Sequence, residues 1–154
     1  MTPAPHRVSL DLPCVHKAVR VGRRVVQSFA RTEELADEEI ERLMLVVSEL
    51  LANAVDHGGG GGAFEEDDLD GDVRMLLRLE LDAAGWRLEI EDQGGGERYI
   101  TAELMEEADR SCPIDLEDER GRGLFLVSEM VSGMSVRHGA AGLIVEVHRE
   151  LGRG

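Results

Sequence analysis

The order of apolar and polar residues predicts a strand and two helices in the first third of the chain. Residues 8–12 alternate between apolar and polar, which predicts a short strand that ends at the following proline. Apolar residues then recur at helical spacing through 15–30 and, more regularly, through 37–56. Asp37 is the expected N-cap of the second helix, and the glycines at 58–62 are expected to end it.

The rest of the chain predicts two hairpins separated by one helix. Residues 73–81 and 86–91 alternate on either side of D-A-A-G, which predicts two strands joined by a tight turn. A helical pattern resumes at 121–130, and the alternating segments 135–138 and 143–147 close the chain. This order predicts an α/β (α+β) two-layer sandwich in which helices cover one face of a mixed, mostly antiparallel sheet.

Length and charge restrict the possible functions. The chain has 154 residues, so we expect a single domain over 1–154. Its net charge of −15 argues against binding to nucleic acid or to an anionic membrane, because both attract clustered Lys and Arg. No stretch approaches the roughly 18 apolar residues of a membrane span. With no signal-peptide pattern and only two cysteines, the expected location is the cytoplasm.

Polar residues interrupt the apolar stripe of the second predicted helix in S-E-L-L-A-N-A-V-D-H. Glu49 and Asn53 are four residues apart and therefore share one side of the helix, and Asp56 and His57 follow one turn later. At the rim of a core, a carboxylate can act as a general base and an amide oxygen can bind Mg²⁺. The same residues also fit the solvated flank of a surface helix, so this stretch alone leaves both interpretations open.

A second candidate stretch, I-E-D-Q-G-G-G, ends a predicted strand. Because side chains alternate along a strand, Asp92 continues the buried row of Leu88 and Ile90. A buried carboxylate needs hydrogen-bond donors, and the exocyclic amine of adenine is one suitable donor. The glycines at 94–96 would let a flat ligand approach the backbone. An ordinary tight turn beginning with Asp is the other interpretation.

The third candidate stretch, E-R-G-R-G-L-F-L-V, places glycines ahead of a predicted helix. Free backbone N–H groups and the helix dipole at such a start form an anion site, which Gly121 and Gly123 would leave open. Arg122 would add a cation or point to solvent. A plain glycine-rich loop before a helix is the alternative. Neither a P-loop nor a Rossmann fingerprint is present.

Taken together and in this order, E-L-L-A-N-A-V-D-H, D-Q-G-G-G and G-R-G-L-F-L-V resemble the N, G1 and G2 boxes of the GHKL ATPase/kinase superfamily. The resemblance extends over about residues 8–150. The sequence S-E-L-L-A-N-A-V-D-H-G is most similar to one branch, the anti-sigma-factor serine/threonine kinases of bacterial partner-switching systems. Membership would imply the Bergerat fold, also called the histidine-kinase-like ATPase fold, with ATP and Mg²⁺ bound between the helices and the sheet.

The resemblance implies roles for individual residues. Glu49 would be the catalytic general base, Asn53 would bind Mg²⁺ within the ATP site, and Asp92 would bind the adenine amine. A mobile lid would cover the nucleotide at about residues 97–120. The other nucleotide-binding residues would be Gly94, Gly96, Gly121, Arg122, Gly123 and Leu124.

The function implied by the resemblance is a serine/threonine protein kinase that regulates bacterial transcription by partner switching. It would hold a sigma factor or similar regulator and phosphorylate a small antagonist protein, and a homodimer is left open because relatives often dimerise. One alternative is a non-catalytic ATP-binding interaction module, since the final hairpin lacks the threonine that many relatives carry and the loop over 58–72 is long and acidic. The other is a histidine-kinase-like catalytic domain that acts in trans.

Overall fold

Five strands and three α-helices lie in the parts of the chain that the computed structural model describes, residues 3–58, 73–92, 119–139 and 142–152. The strands are β1 (His6–Pro13), β2 (Arg74–Asp82), β3 (Gly85–Asp92), β4 (Gly133–His138) and β5 (Leu143–Glu150). The helices are α1 (His16–Thr32), α2 (Asp37–Asn53) and α3 (Glu119–Met130), and a π-helical turn, Ala54–Gly58, directly follows α2. The predicted element order is therefore confirmed.

The strands form one sheet in the order β1-β2-β3-β5-β4, with β3 in the centre. Each pairing among the described strands is antiparallel, which confirms the prediction of a mostly antiparallel sheet. The D-A-A-G turn joins β2 to β3, and Asp82 accepts hydrogen bonds from the N–H groups of Ala84 and Gly85 there. Gly85 has φ of +152° and its α-carbon faces the carbonyl oxygen of Arg149, so this position requires glycine.

The alternating sequence gives the sheet one apolar face, which packs against the helices. On β2 and β3 the buried side chains of this face are Met75, Leu77, Leu79, Leu81, Trp86, Leu88, Ile90 and Asp92. Helix α2 adds four fully buried side chains to the same core, Leu43, Val46, Val47 and Leu51. Gly22 allows α1 to approach α2, since a Cβ there would lie 2.8 Å from Cδ1 of Leu51. None of the described helices is both long and apolar enough to span a bilayer.

The two ends of α2 differ from the prediction. The N-cap residue is Ala36, which makes no side-chain capping hydrogen bond, so the prediction of Asp37 as N-cap was wrong. Asp37 is instead the first helical residue, where its charge is favourable to the positive end of the helix dipole. The α-helical part ends at Asn53, and the predicted continuation to residue 56 has π-helical geometry.

Glu39 is a buried carboxylate at the first turn of α2 that links the helix to the sheet. Its oxygens accept hydrogen bonds from Nε1 of Trp86 at 3.2 Å and from Nη2 of Arg149 at 3.0 Å, and Arg42 lies 3.4 Å away. Burial raises the pKa of Glu39, but the hydrogen bonds from Arg149 and Trp86 and the charges of Arg149 and Arg42 outweigh it, so that the pKa is lowered overall. Glu39 is therefore held as a carboxylate that anchors α2.

Candidate functional site

Helices α2 and α3 meet where the carboxylate of Glu49 lies against the α-carbon of Gly123. A methyl group built on Gly123 would overlap Oε2 of Glu49 and would lie 3.4 Å from its Cδ. Gly123 is buried and Glu49 is half-buried. Two of the three stretches singled out in the sequence therefore come into direct contact, because position 123 has no side chain.

The glycines of the third stretch lie within α3 and not ahead of it. The helix begins at Glu119, so Gly121 and Gly123 are its third and fifth residues, and the prediction that they precede the helix was wrong. The last two residues of the predicted lid, 119–120, are the first two residues of this helix. Glycine is a weak helix former, but the close approach of α2 outweighs this preference at Gly123. The backbone N–H groups of the first three helical residues, 119–121, have no partner inside the helix.

Asn53 is the last residue of α2 and lies half-buried at the start of the π-helical turn. It follows Glu49 by four residues and therefore shares its side of the helix. Single π-helical turns are frequent at functional sites. Within this turn Asp56 pairs with Nε2 of His16 at 2.8 Å, which connects the turn to the first residue of α1. The sequence contains no signal for this pair, because the two residues are distant along the chain.

Asp92 lies at the end of the central strand and is buried, as the alternation predicts. Its Oδ1 accepts a hydrogen bond from the backbone N–H of Leu143 at 3.3 Å. The preceding residue, Gly142, packs so closely that a Cβ would overlap both the backbone oxygen and Oδ1 of Asp92. The start of β5 therefore fixes one oxygen of this carboxylate. The proposed contact of Asp92 with adenine stays a prediction.

Cys14 connects the Asp92 end of the sheet to the π-helical turn. Its thiol is buried and donates a hydrogen bond to the carbonyl oxygen of Ala54 at 3.3 Å. Burial, together with the nearby negative charges of Asp92 and Asp56, raises the pKa of Cys14 to about 11. Both carboxylates are thus close to one thiol, so the turn after α2 and the end of β3 face each other.

The donor atoms fit a nucleotide with Mg²⁺. Glu49 and Asn53 offer side-chain oxygen atoms, the ligand type that Mg²⁺ prefers. Gly123 and Gly142 carry no side chain, so none enters the space beside Glu49 and Asp92. Among the described residues, no three His, Cys, Asp or Glu side chains are grouped at metal-binding distances. Mg²⁺ in nucleotide sites usually takes most of its ligands from phosphate and water.

Several predicted site residues cannot be placed. Gly94, Gly96 and the predicted lid up to residue 118 lie outside the described residues. For Gly121, Arg122 and Leu124 the structure gives the helical backbone only. The described residues make two separate contacts, one between Glu49 and Gly123 and one of Asp92 with Gly142 and Leu143. Cys14 lies near both Asp92 and Asp56, and Asp56 belongs to the π-helical turn that directly follows Asn53.

Comparison with known proteins agrees with the fold. A family model described as a histidine kinase-like ATPase domain matches residues 14–149. The chain belongs to this family. Its assignment to the GHKL superfamily and the anti-sigma-factor kinase branch, made from the three sequence boxes, is thereby confirmed, and so is the two-layer fold of histidine kinase-like ATPases.

Named relatives of this histidine kinase-like ATPase domain come from several bacteria. The serine-protein kinase RsbW of Bacillus cereus (strain AH187) is 24% identical over 135 residues, which cover 86% of this chain and 78% of the relative. RsbW of Bacillus thuringiensis subsp. konkukian matches with the same identity and coverage. These relatives support a kinase or ATPase, while the low identity leaves the substrate to be proposed.

Solved structures share the fold. One contains the SiaB–SiaC complex of Pseudomonas aeruginosa, with a TM-score of 0.63, 12% identity, and 94% of this chain and 88% of that chain covered. Another contains the RsbU and RsbW domains of Rv1364c from Mycobacterium tuberculosis, with a TM-score of 0.62 and 18% identity. There, 94% of this chain matches 32% of the other, so this chain spans about a third of that longer protein.

Proposed function

We propose that this protein is an ATP-dependent serine/threonine kinase that acts as a partner-switching regulator of bacterial transcription. It would bind a sigma factor or similar regulator and phosphorylate a small antagonist protein on Ser or Thr. The observation that carries the proposal is the contact between Glu49 and Gly123, which places a half-buried carboxylate beside the first turns of α3. Similarity to RsbW proteins, named serine-protein kinases, supports the choice of phosphoacceptor.

In this proposal each residue has a separate task. Glu49 accepts the proton of the attacking Ser or Thr hydroxyl, and its position against Gly123 limits where its carboxylate can move. Asn53 holds Mg²⁺ through its side-chain oxygen. Asp92 accepts a hydrogen bond from the base on one oxygen while Leu143 fixes the other. The backbone N–H groups of residues 119–121 attract the phosphates.

Bound ATP would supply the phosphoryl group, and Mg²⁺ would offset its negative charge. The rest of the rate enhancement would come from positioning and proton transfer by the chain. General-base catalysis contributes about 10²–10⁴-fold, so its removal should be easy to measure.

The test compares Glu49→Gln with Glu41→Gln. Both substitutions remove one negative charge from α2, but Glu41 is exposed and lies about two helical turns before Glu49. Binding of Mg²⁺-ATP is measured by calorimetry, and transfer from radiolabelled ATP to a candidate antagonist is measured by acid-stable label. We expect Glu49→Gln to bind ATP normally but to lose about 10²–10⁴-fold of the transfer rate, and Glu41→Gln to behave like the unaltered protein.

Two other results identify the alternatives. Binding of ATP without any transfer, in both the unaltered protein and Glu41→Gln, would indicate the non-catalytic interaction module. Acid-labile label on an acceptor protein would indicate a histidine-kinase-like domain acting in trans. A failure to bind Mg²⁺-ATP, with no change in thermal unfolding on its addition, would contradict the nucleotide site itself.

A further inference from the structure

Helix α1 differs in charge from the rest of the protein. It contains five of the 17 Lys and Arg residues and none of the 32 Asp and Glu residues, in a chain whose net charge is −15. Among the described helices of this acidic protein, α1 is the one whose Lys, Arg, Asp and Glu residues are all basic. The five cationic residues are Lys17, Arg20, Arg23, Arg24 and Arg31.

All five cationic side chains are exposed on one side of α1. Placed at helical spacing, they fall within an arc of about 120° and extend over roughly 21 Å of the helix. The opposite side of the helix is anchored in the core by Ala18, Gly22, Val26 and Ala30. Packing of α1 therefore does not use the basic face.

The cations of α1 also differ from the other arginines in their partners. Outside α1, every arginine whose side chain the structure describes is ion-paired with a carboxylate. These arginines are Arg7, Arg42, Arg74, Arg78, Arg87, Arg137 and Arg149. Within the described ranges, in contrast, none of the five cations on α1 forms an ion pair.

This arrangement is unfavourable for the helix by itself. Lys17, Arg20 and Arg24 are spaced three or four residues apart, where like charges destabilise a helix. Lys17 also lies in the first turn, where the helix dipole disfavours a positive charge. Because these cations have no carboxylate partner among the described residues, they are available for an external anionic partner.

An apolar residue borders the basic face. Val21 is 51% exposed, the largest exposed fraction among the large hydrophobic residues that the structure describes. It is four residues from Lys17 and three from Arg24, so it lies beside both on the helix surface. Apolar contact next to complementary charges is typical of a protein–protein interface.

We propose that this basic face of α1 binds an acidic segment of a partner protein, with Val21 contacting an apolar side chain of that segment. A short segment can contact the helix without meeting the negative charge elsewhere, whereas nucleic acid or a membrane would extend over the acidic surfaces as well. The proposal does not depend on nucleotide binding. The helix nevertheless begins at His16, whose pair with Asp56 places the docked segment near the candidate site.

The test uses two double substitutions that change the net charge equally. Arg20→Glu with Arg24→Glu reverses the centre of the basic face, and Arg7→Glu with Arg87→Glu reverses two exposed arginines of the sheet's other face. The probe is a short fluorescent peptide of Asp and Glu around one Leu, and a matched peptide carries Asn and Gln in place of the acids. Binding is measured by anisotropy at low and high salt, and its location by amide chemical shifts.

We expect the acidic peptide to shift amides of α1 and to bind less tightly at high salt. The α1 reversal should weaken this binding by about tenfold or more, because opposite charges become like charges, while the control reversal should have little effect. Both variants should keep their affinity for Mg²⁺-ATP. A failure of peptide binding can therefore be told apart from a failure of the proposed nucleotide site. If the reversal impairs folding, Arg20→Gln with Arg24→Gln replaces it, with a smaller loss expected.

Three results would overturn the proposal. The first is no binding of the acidic peptide, and the second is an equal loss in both double variants, which would reflect net charge alone. The third is binding of a DNA duplex or of phosphatidylserine vesicles through the same residues, since the face would then belong to a different class of partner.

Discussion

The carboxylate of Glu49 rests against the α-carbon of Gly123, so a catalytic candidate on one helix depends on the absence of a side chain on another. This relationship separates stability from activity. Most substitutions at a buried position affect both together. At Gly123 the two effects should have opposite signs.

Gly123→Ala should leave the protein at least as stable while reducing phosphotransfer. Alanine is favoured over glycine inside a helix by about 0.5–1 kcal/mol. The new methyl group overlaps only the end of the flexible Glu49 side chain, which can move aside. Thermal unfolding followed by circular dichroism measures the stability, and phosphate transfer from labelled ATP measures the activity. Adding Gly123→Ala to Glu49→Gln should cause little extra loss of rate, because both act on one group; additive losses would contradict this account.

Gly142→Ala should disrupt the Asp92 end of the site and the fold with it. Here the overlap involves the backbone oxygen of Asp92, which cannot move without displacing β3, so we expect a loss of about 1–3 kcal/mol, typical of overpacking. Nucleotide affinity should fall as well. Gly152→Ala is the matched control, because nothing lies within 4 Å of its added Cβ. Chemical unfolding and calorimetry of the two variants measure the difference; equal stability would mean that Gly142 is not close-packed.

Glu39→Gln should destabilise the protein at neutral pH by about 1–2 kcal/mol, since it weakens charged hydrogen bonds from Arg149, whose side chain is 28% exposed. The folded-state pKa of Glu39 is lowered from its ordinary value of 4.5. Its stabilisation is therefore present above about pH 4.5 and lost as the pH falls through the lower folded-state value. Urea unfolding monitored by the fluorescence of Trp86, the single tryptophan, reports this directly.

The exposed neighbour Glu38 is the control for that experiment. Glu38→Gln should change stability little at any pH. A difference between unaltered protein and Glu39→Gln that grows on acidification would have the wrong sign for a carboxylate with a lowered pKa.

Cys14 should resist thiol reagents in the folded protein. Thiol labelling requires the thiolate, and the pKa of about 11 together with burial keeps Cys14 protonated and covered. In a Cys112→Ser background, labelling should be slow at neutral pH, become faster towards pH 11, and reach completion at once in denaturant. Rapid labelling of folded protein at neutral pH would show that the turn after α2 opens readily.

The sequence predicted local features better than contacts between distant segments. The β2–β3 hairpin was predictable because strict alternation and the D-A-A-G turn act over neighbouring residues. The buried position of Asp92 followed from the same alternation. The pairing of Glu39 with Trp86 and Arg149 was not predictable, because periodicity shows that a residue faces the core but not which distant residue it meets.

The third candidate stretch shows a different limit of sequence interpretation. Gly121 and Gly123 were expected ahead of the helix, where they would leave an anion site open at its start. The structure extends α3 through both, and the contact with Glu49 explains why glycine is needed at position 123. The chemical roles of Glu49, Asn53 and Asp92 stay predictions until the variants above are measured.

The central position of β3 has a consequence for how the site opens over time. β3 is hydrogen-bonded on both sides, to β2 and to β5, whereas β1 and β4 are the edges of the described sheet. Amide hydrogens of β3 should therefore exchange with solvent last, and those of the edge strands earlier. Asp92 is the last residue of this central strand, while Glu49 belongs to a helix outside the sheet. Breathing motions would thus move the helices more than β3, so that the residue proposed to bind adenine would stay in place while the proposed general base moves.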